Sequence, residues 1–166
     1  MTDAISSDAI AENHRYWQEC KDTFLAGGDY YQHVKAVLPL LCELHLDKSS
    51  RVLDVGCGNG EFSAVIAEHC GRLEGFDLSE SLVAHAPSLK VQNATFSCRG
   101  VNDLIAVPER SYDAIFVMGV FATLHGEVFQ ETVHQLERCL KIGGLIVARD
   151  TLSVNADIVR RVNSGY

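Results

Sequence analysis

The stretch that decides the fold is VLDVGCGNG, residues 52–60. It joins an apolar run ending at Val55 to three glycines at alternate positions, Gly56, Gly58 and Gly60. Glycine lacks Cβ, so such a loop can take positive φ angles and bring backbone N–H groups close to a ligand. In a doubly wound sheet the ligand crevice lies beyond the carboxyl ends of the strands, where this loop falls. The stretch therefore predicts a strand, a ligand-binding loop and a helix. The alternative is a glycine-rich turn needed only for tight packing.

Short apolar runs alternate with helical patterns on both sides of this loop. The predicted strands cover residues 51–55, 73–76 with Asp77 at the end, 94–98, 112–118 and 144–148. The predicted helices between them cover residues 61–70, 79–86 and 126–140, and a glycine turn at 143–144 precedes the last strand. Continuous apolar strands that alternate with helices indicate a parallel sheet covered on both faces. We expect an α/β fold with a doubly wound, mainly parallel Rossmann-like sheet.

An N-terminal helical segment, residues 1–48, precedes this alternation. It carries helical patterns over 7–24 and 30–46, and the second has the amphipathic stripe Val34, Val37, Leu38, Leu41 and Leu44. The segment either packs on the core or covers a pocket as a lid. Residues 49–166 form the predicted ligand-binding part of the same domain. Only sixteen residues follow Asp150, including a short helical stretch at 156–162, so we expect a sheet cut short at its C-terminus.

The composition and charge of the chain limit the classes of partner that it is expected to bind. The 166 residues fit one domain, and 22 acidic against 14 basic side chains give a net charge of −8. Such a surface repels phosphate backbones, and no basic run exceeds Arg160-Arg161, so we expect no nucleic acid partner. No apolar run reaches the roughly 18 residues of a membrane span, and the N-terminus lacks a signal-peptide pattern, which predicts a cytosolic protein without a membrane partner. Six cysteines without a C-x-x-C pair and seven scattered histidines predict no metal site.

The glycine spacing argues against a dinucleotide as the ligand. A nicotinamide or flavin fingerprint reads G-x-G-x-x-G, and here Asn59, Gly60 and Glu61 break that spacing. Glu61 would also place a negative charge near a pyrophosphate. Asp54, two residues before the first glycine, suits a ligand that carries an ammonium group instead.

These residues resemble the class I S-adenosylmethionine-dependent methyltransferase family, whose first motif is an acid followed by G-x-G-x-G. Further matches follow in order: GFDLS at 75–79, SYDAI at 111–115 and LERCLKIGG at 136–144. The resemblance covers about residues 51–150. It implies S-adenosylmethionine as the cofactor, with the glycine loop around its amino-acid portion and sugar. It also implies that Asp77 accepts both ribose hydroxyls, as two carboxylate oxygens allow.

Family members often carry an acid beside the adenine at the end of the third strand. Here that acid is absent, and the adenine contacts are assigned to residues 100–102. The implied cofactor-binding residues are Asp54, Gly56, Cys57, Gly58, Gly60, Asp77, Leu78, Gly100, Val101, Asn102, Met118 and Gly119.

The chemistry implied by the resemblance is transfer of a methyl group to a small-molecule acceptor. The sulfonium is already an activated leaving group, so a general base is needed only for a hydroxyl or a protonated amine. His125 is the candidate base, and the alternative is an inert histidine near a helix N-terminus. The other function left open is a non-catalytic S-adenosylmethionine-binding partner subunit. The acceptor and the oligomeric state stay open as well.

Overall fold

A computed structural model describes residues 7–19, 29–124 and 126–150. The described residues form α1 (Ser7–Glu19), α2 (Asp29–His45), β1 (Arg51–Val55), α3 (Glu61–Ala67), β2 (Arg72–Asp77), α4 (Glu80–Val83), β3 (Ala94–Cys98), β4 (Tyr112–Met118), α5 (Gly126–Cys139) and β5 (Leu140–Arg149). Three short 3-10 helices lie at Ala86–Leu89, Val101–Ala106 and Phe121–Thr123. The helical patterns predicted for residues 20–24 and 156–162 lie outside the described residues.

The five strands form one parallel sheet in the order β3-β2-β1-β4-β5. β1 lies at its centre, where four of its five residues are buried, and it pairs with β2 on one side and β4 on the other. The predicted α/β fold with a parallel Rossmann-like sheet is confirmed. Because all strands run the same way, the loops after β1, β2, β3 and β4 meet at one edge of the sheet.

Each face of the sheet is covered by its own apolar cluster. On one face Val52 and Phe116 pack with residues of α2 and α3. On the other face Leu53 and Ile115 pack with Leu136 of α5 and with the 3-10 helix at Val101–Ala106. Neighbouring residues of β1 thus enter different clusters, as the two-residue period of a strand requires. Both faces are therefore closed, and the carboxyl edge carries the loops.

The carboxylate of Glu74 joins three strands at the opposite, amino edge. Arg51 Nη2 lies 2.7 Å from Glu74 Oε1, and the hydroxyl of Tyr112 donates to Glu74 Oε2 at 2.8 Å. Burial disfavours the charged carboxylate, but these hydrogen bonds and the Arg51 charge outweigh burial and hold the pKa of Glu74 below its usual range. The cluster is structural, since it lies away from the glycine loop.

Two predicted helices are shorter than expected. The helix from Glu61 ends at Ala67 rather than at residue 70, and the helix from Glu80 ends at Val83 rather than at residue 86. The second is interrupted because residues 86–89 form a 3-10 helix with Pro87 near its start. The predicted cap is confirmed, since Ser79 Oγ accepts the N–H of Leu82 at 3.3 Å.

The predicted start of the last strand was wrong. β5 begins at Leu140, directly after α5, and the glycine pair lies inside it rather than in a turn before it. Tyr112 pairs with Leu140 and Ala114 with Leu145, so β5 accommodates three extra residues in a bulge. A Cβ atom at Gly144 would lie 2.8 Å from the carbonyl oxygen of Asp113, which explains a glycine at this crowded point.

The buried face of α2 also differs from the predicted stripe. Val34, Leu38 and Cys42 are buried, whereas Val37 is 51% and Leu44 75% exposed. The buried face of the helix differs from the predicted one because Cys42 packs as a small apolar side chain. With Val34 and Leu38 it forms a row of buried residues spaced four apart. None of the helices in the described ranges is long and apolar enough to cross a membrane. The cytosolic location stays a prediction.

Candidate functional site

The glycine loop after β1 is held against its two neighbouring strands. The N–H groups of Gly56 and Cys57 both donate to the carbonyl of Phe76, at 2.8 and 3.0 Å. Gly56 has a φ of +72°, and a Cβ atom there would lie 2.2 Å from Cγ2 of Val120. The position therefore needs glycine for its backbone angle and for the close approach of the segment after β4.

Asp77, at the end of β2, reaches into this loop. Its Oδ2 accepts the N–H of Gly58 at 3.0 Å, and its Oδ1 accepts the N–H of Ser79 at 2.9 Å. Burial raises the pKa of Asp77, and the hydrogen bonds from these backbone N–H groups partly offset that effect. A carboxylate offers about four acceptor sites, so two remain for a ligand. The structure thus brings together the glycine loop and the acid that the sequence placed in separate motifs.

The segment after β3 joins the same edge. The N–H of Arg99 donates to the carbonyl of Asp77 at 3.0 Å, and a Cβ atom at Gly100 would lie 3.1 Å from Cδ2 of Leu78. The carboxylate of Asp103 accepts the N–H of Gly100 at 2.9 Å and so fixes the turn. Leu78 and Gly100, two of the predicted cofactor-binding residues, are therefore neighbours, and their contact with a cofactor stays a prediction.

The remaining predicted cofactor residues differ in how closely they join this edge. Val101 is half-buried and Asn102 is exposed in the 3-10 helix that follows β3. Met118 is the last residue of β4 and Gly119 follows it, beside the end of β1, where Val55 pairs with Val117. His125, the predicted base, lies outside the described residues.

Open space borders the site at two glycines. Among the described residues, no heavy atom outside each glycine and its two chain neighbours lies within 4 Å of the position a Cβ would take at Gly58 or at Gly119. Gly58 is also the residue whose N–H is bonded to Asp77. The loop thus has an open side next to the acid, and a ligand with hydroxyl donors fits there.

Asp54 lies beneath the loop rather than on its open side. It is 1% exposed, and its Oδ2 accepts a hydrogen bond from the hydroxyl of Ser63 on α3. Burial raises the pKa of Asp54 to about 6; the Ser63 hydroxyl lowers it, and the nearby charge of Asp77 raises it. A direct contact between Asp54 and the ammonium group of a ligand stays a prediction. In this conformation the carboxyl group joins β1 to α3 through Ser63.

Replacement of Asp54 by Asn is expected to remove a pH-dependent loss of stability. A carboxyl whose pKa is raised on folding destabilises the native state as pH rises through the range between its unfolded and folded values, here 3.8 and about 6. The unfolding free energy of Asp54→Asn, relative to wild type, should therefore increase from pH 4 to pH 8, by on the order of 3 kcal/mol. Urea unfolding of the ligand-free protein at both pH values measures it.

Asp47→Asn is the matched control for this pH experiment. Hydrogen bonds from Ser49 lower the pKa of Asp47, so the relative stability of that variant should change with pH in the opposite direction. A relative stability of Asp54→Asn that does not change between the two pH values would contradict the assignment.

Residues 52–144, more than half of the chain, match the family described as "Methyltransferase domain". The chain belongs to the class I S-adenosylmethionine-dependent methyltransferase family. The methyl donor of this family is S-adenosylmethionine, and the strand order and the loop at the carboxyl edge agree with that assignment.

Relatives of this chain act on different kinds of substrate, as their names state. Phosphoethanolamine N-methyltransferase of Triticum aestivum is 30% identical over 117 residues, which are 68% of this chain and 23% of that protein. The tRNA N(3)-methylcytidine methyltransferase of Schizosaccharomyces pombe is 30% identical over 129 residues, 72% of this chain and 41% of that protein. The chain thus spans less than half of either relative.

Solved structures share the fold of this chain. The DhpI-SAM-HEP complex superposes with a TM-score of 0.75 at 18% identity and covers 95% of this chain and 72% of that one. The N-methyltransferase NodS from Bradyrhizobium japonicum, in complex with S-adenosyl-L-homocysteine, gives 0.68 at 20% identity, with 86% and 72% covered.

Three residues of the candidate site make contacts that the sequence analysis did not predict. They are Ser63, which bonds Asp54; Asp103, which fixes the turn at Gly100; and Val120, which occupies the space beside Gly56. Only Asp103 has a sequence signal, because an acid three residues after a glycine is placed to cap a turn. The other two contacts join elements that are distant in sequence.

Proposed function

We propose that this chain transfers the methyl group of S-adenosylmethionine to a small-molecule acceptor. The contact between Asp77 and the N–H of Gly58, beside open space at that glycine, carries the proposal. It sets a carboxylate with unused acceptor sites next to exposed loop backbone, and a ribose with two hydroxyls matches that arrangement.

In this proposal the chain acts mainly by binding and orienting. S-adenosylmethionine supplies an electrophilic methyl group on a sulfonium that leaves as a neutral thioether. Asp77 holds the ribose, the loop from Gly56 to Gly60 surrounds the amino-acid portion, and Leu78 with Gly100 borders the adenine. Positioning of the two reactants can by itself supply a large part of the rate. His125 remains the proposed base for acceptors that must lose a proton.

The N-terminal helical segment is proposed to border the same site. Lys35 on α2 lies 3.6 Å from Glu61, the first residue of α3 and the neighbour of Gly60. This ion pair joins α2 to the end of the glycine loop. The turn of α2 that precedes Lys35 therefore lies toward the carboxyl edge, which supports a covering role for this segment.

The charge of the chain supports a small acceptor over tRNA. The net charge of −8 opposes a polyanion, because a protein binds phosphates through lysine and arginine that release their counterions. The relatives' names include both substrate kinds, so a direct comparison is informative.

Calorimetric titration tests the proposal. We expect micromolar binding of S-adenosylmethionine and S-adenosylhomocysteine and no binding of NAD. Transfer of labelled methyl to a panel of small amines, alcohols and acids, with tRNA alongside, then tests the acceptor. Binding without transfer to any of them would favour the non-catalytic partner subunit. Folded protein that binds neither sulfur compound would contradict the proposal.

A further inference from the structure

Asp150 lies at the carboxyl edge of the sheet, immediately after β5. Arg149 pairs with Met118 at the end of β4, and the N–H of Gly119 donates to the carbonyl of Arg149 at 2.7 Å. Asp150 therefore lies beside the segment that follows β4. The sequence alone predicts that Asp150 and Arg149, at the end of the fifth strand, lie near the acceptor side and position a polar substrate.

The segment Gly119–Leu124 connects Asp150 with the glycine loop. Asp150 Oδ1 accepts the N–H of Ala122 at 3.0 Å. Two residues earlier, Val120 fills the space beside Gly56. The same short segment thus contacts the proposed methyl-donor site on one side and a carboxylate on the other.

The second oxygen of Asp150 has no partner. Oδ2 is buried and makes no hydrogen bond, and no cationic side chain of the described residues forms an ion pair with this carboxylate. Burial raises the pKa of Asp150, and the N–H groups of Ala122 and Phe121 offset part of that effect. A buried carboxylate oxygen without a donor is costly and rare in native structures, and a bound ligand is one explanation for it.

We propose that Asp150 Oδ2 binds the amine group of the methyl acceptor. This inference rests on the proposed function and names its substrate class: a primary or secondary amine. In the reaction the bound ammonium group first gives one N–H proton to Asp150 Oδ2, and the nitrogen lone pair that this frees then forms the bond to the methyl carbon. The carbon–sulfur bond breaks with its electron pair going to sulfur, so the products are the methylated amine and S-adenosylhomocysteine.

An amine suits this position better than other acceptors. An ammonium group supplies the hydrogen-bond donor that Oδ2 lacks, and its charge complements the carboxylate. An anionic acceptor would add a second negative charge beside it. The neighbouring residues Met118, Val120 and Phe121 are apolar and fit the carbon part of a small amine.

Asp150→Asn separates binding of the amine from support of the loop. The amide oxygen can still accept the N–H of Ala122, while an amide NH2 replaces Oδ2 and repels an ammonium group. Glu109→Gln is the matched control, because it removes one exposed carboxylate just before the amino end of β4. We expect all three proteins to bind S-adenosylhomocysteine within about twofold of one another.

The decisive measurement is calorimetric titration of the S-adenosylhomocysteine complex with ethanolamine, benzylamine and tyramine. At least one amine should bind to the wild-type and Glu109→Gln complexes. The same amine should bind to the Asp150→Asn complex at least tenfold more weakly. Wild type should also prefer benzylamine to benzyl alcohol at least tenfold, a comparison that needs no variant. Equal amine binding by wild type and Asp150→Asn, no amine binding, or equal binding of amine and alcohol would overturn the assignment of Asp150. Failure of wild type to bind S-adenosylhomocysteine would instead overturn the proposed function.

Discussion

Asp77→Asn is expected to weaken S-adenosylhomocysteine binding about a hundredfold. Both carboxylate oxygens accept a backbone N–H, one from Gly58 and one from Ser79. An asparagine has only one oxygen, so either orientation of its amide sets an NH2 group against an N–H. The loop would lose one anchor, and the ribose would lose a charged acceptor. Hydrogen bonds to a charged group are worth about 1.5–3 kcal/mol each, and two weakened bonds correspond to a loss of about 3 kcal/mol.

Calorimetry on the purified variant measures this loss, and Glu80→Gln is its control. Glu80 is exposed in the first turn of α4, three residues after Asp77, so its replacement removes the same charge close to the site. It should leave the affinity within about twofold of wild type. Thermal unfolding without ligand shows whether Asp77→Asn folds. An affinity loss below fivefold in the folded variant would mean that Asp77 does not hold the ribose.

Three of the five strands and the glycine loop could be predicted from the sequence because local and tertiary preferences agree there. β1, β3 and β4 have the predicted bounds. In β1 and β4 a run of β-branched and other apolar residues is buried on both faces of a parallel sheet, so no alternation had to be interpreted. The three glycines at alternate positions, directly after a strand, then predicted a ligand-binding loop.

The sequence predictions were wrong where a contact between distant parts of the chain determines the local structure. The bulge in β5 depends on the approach of Gly144 to the carbonyl of Asp113 on the neighbouring strand, and a sequence pattern does not contain that contact. The buried face of α2 depends on Cys42, whose apolar character the stripe did not count.

In the candidate site, too, residue identities could be predicted but contacts between distant residues could not. The identities of Gly58 and Asp77 were predictable because each belongs to a motif with a fixed place after a strand. Their hydrogen bond, and the support of Asp54 by Ser63, arise only when β1, β2 and α3 come together. Asp150 was predictable as an acceptor-side residue from its place after the last strand, but its buried oxygen without a donor exists only in the folded chain.

Gly56→Ala should have the second large effect, on stability as well as on binding. The new methyl group would lie 2.2 Å from Cγ2 of Val120, and the residue would keep a φ of +72°. The left-handed backbone costs an alanine about 1–2 kcal/mol, and overpacking adds about 1–3 kcal/mol. We expect a loss of about 3 kcal/mol in unfolding free energy, measured with urea, together with loss of S-adenosylhomocysteine binding.

Two further variants divide this loss into its parts. Gly143→Ala meets a φ of +79° with no atom within 4 Å of the new Cβ, so it should show the backbone cost alone and bind S-adenosylhomocysteine normally. The double variant Gly56→Ala with Val120→Ala removes the crowding Cγ2 atom, and it should recover the overpacking part of the stability but not the backbone part. If Gly56→Ala loses no more stability than Gly143→Ala, then the segment after β4 does not press on the loop. The link through Val120 between the glycine loop and the acceptor side, on which the assignment of Asp150 depends, would then lose its support.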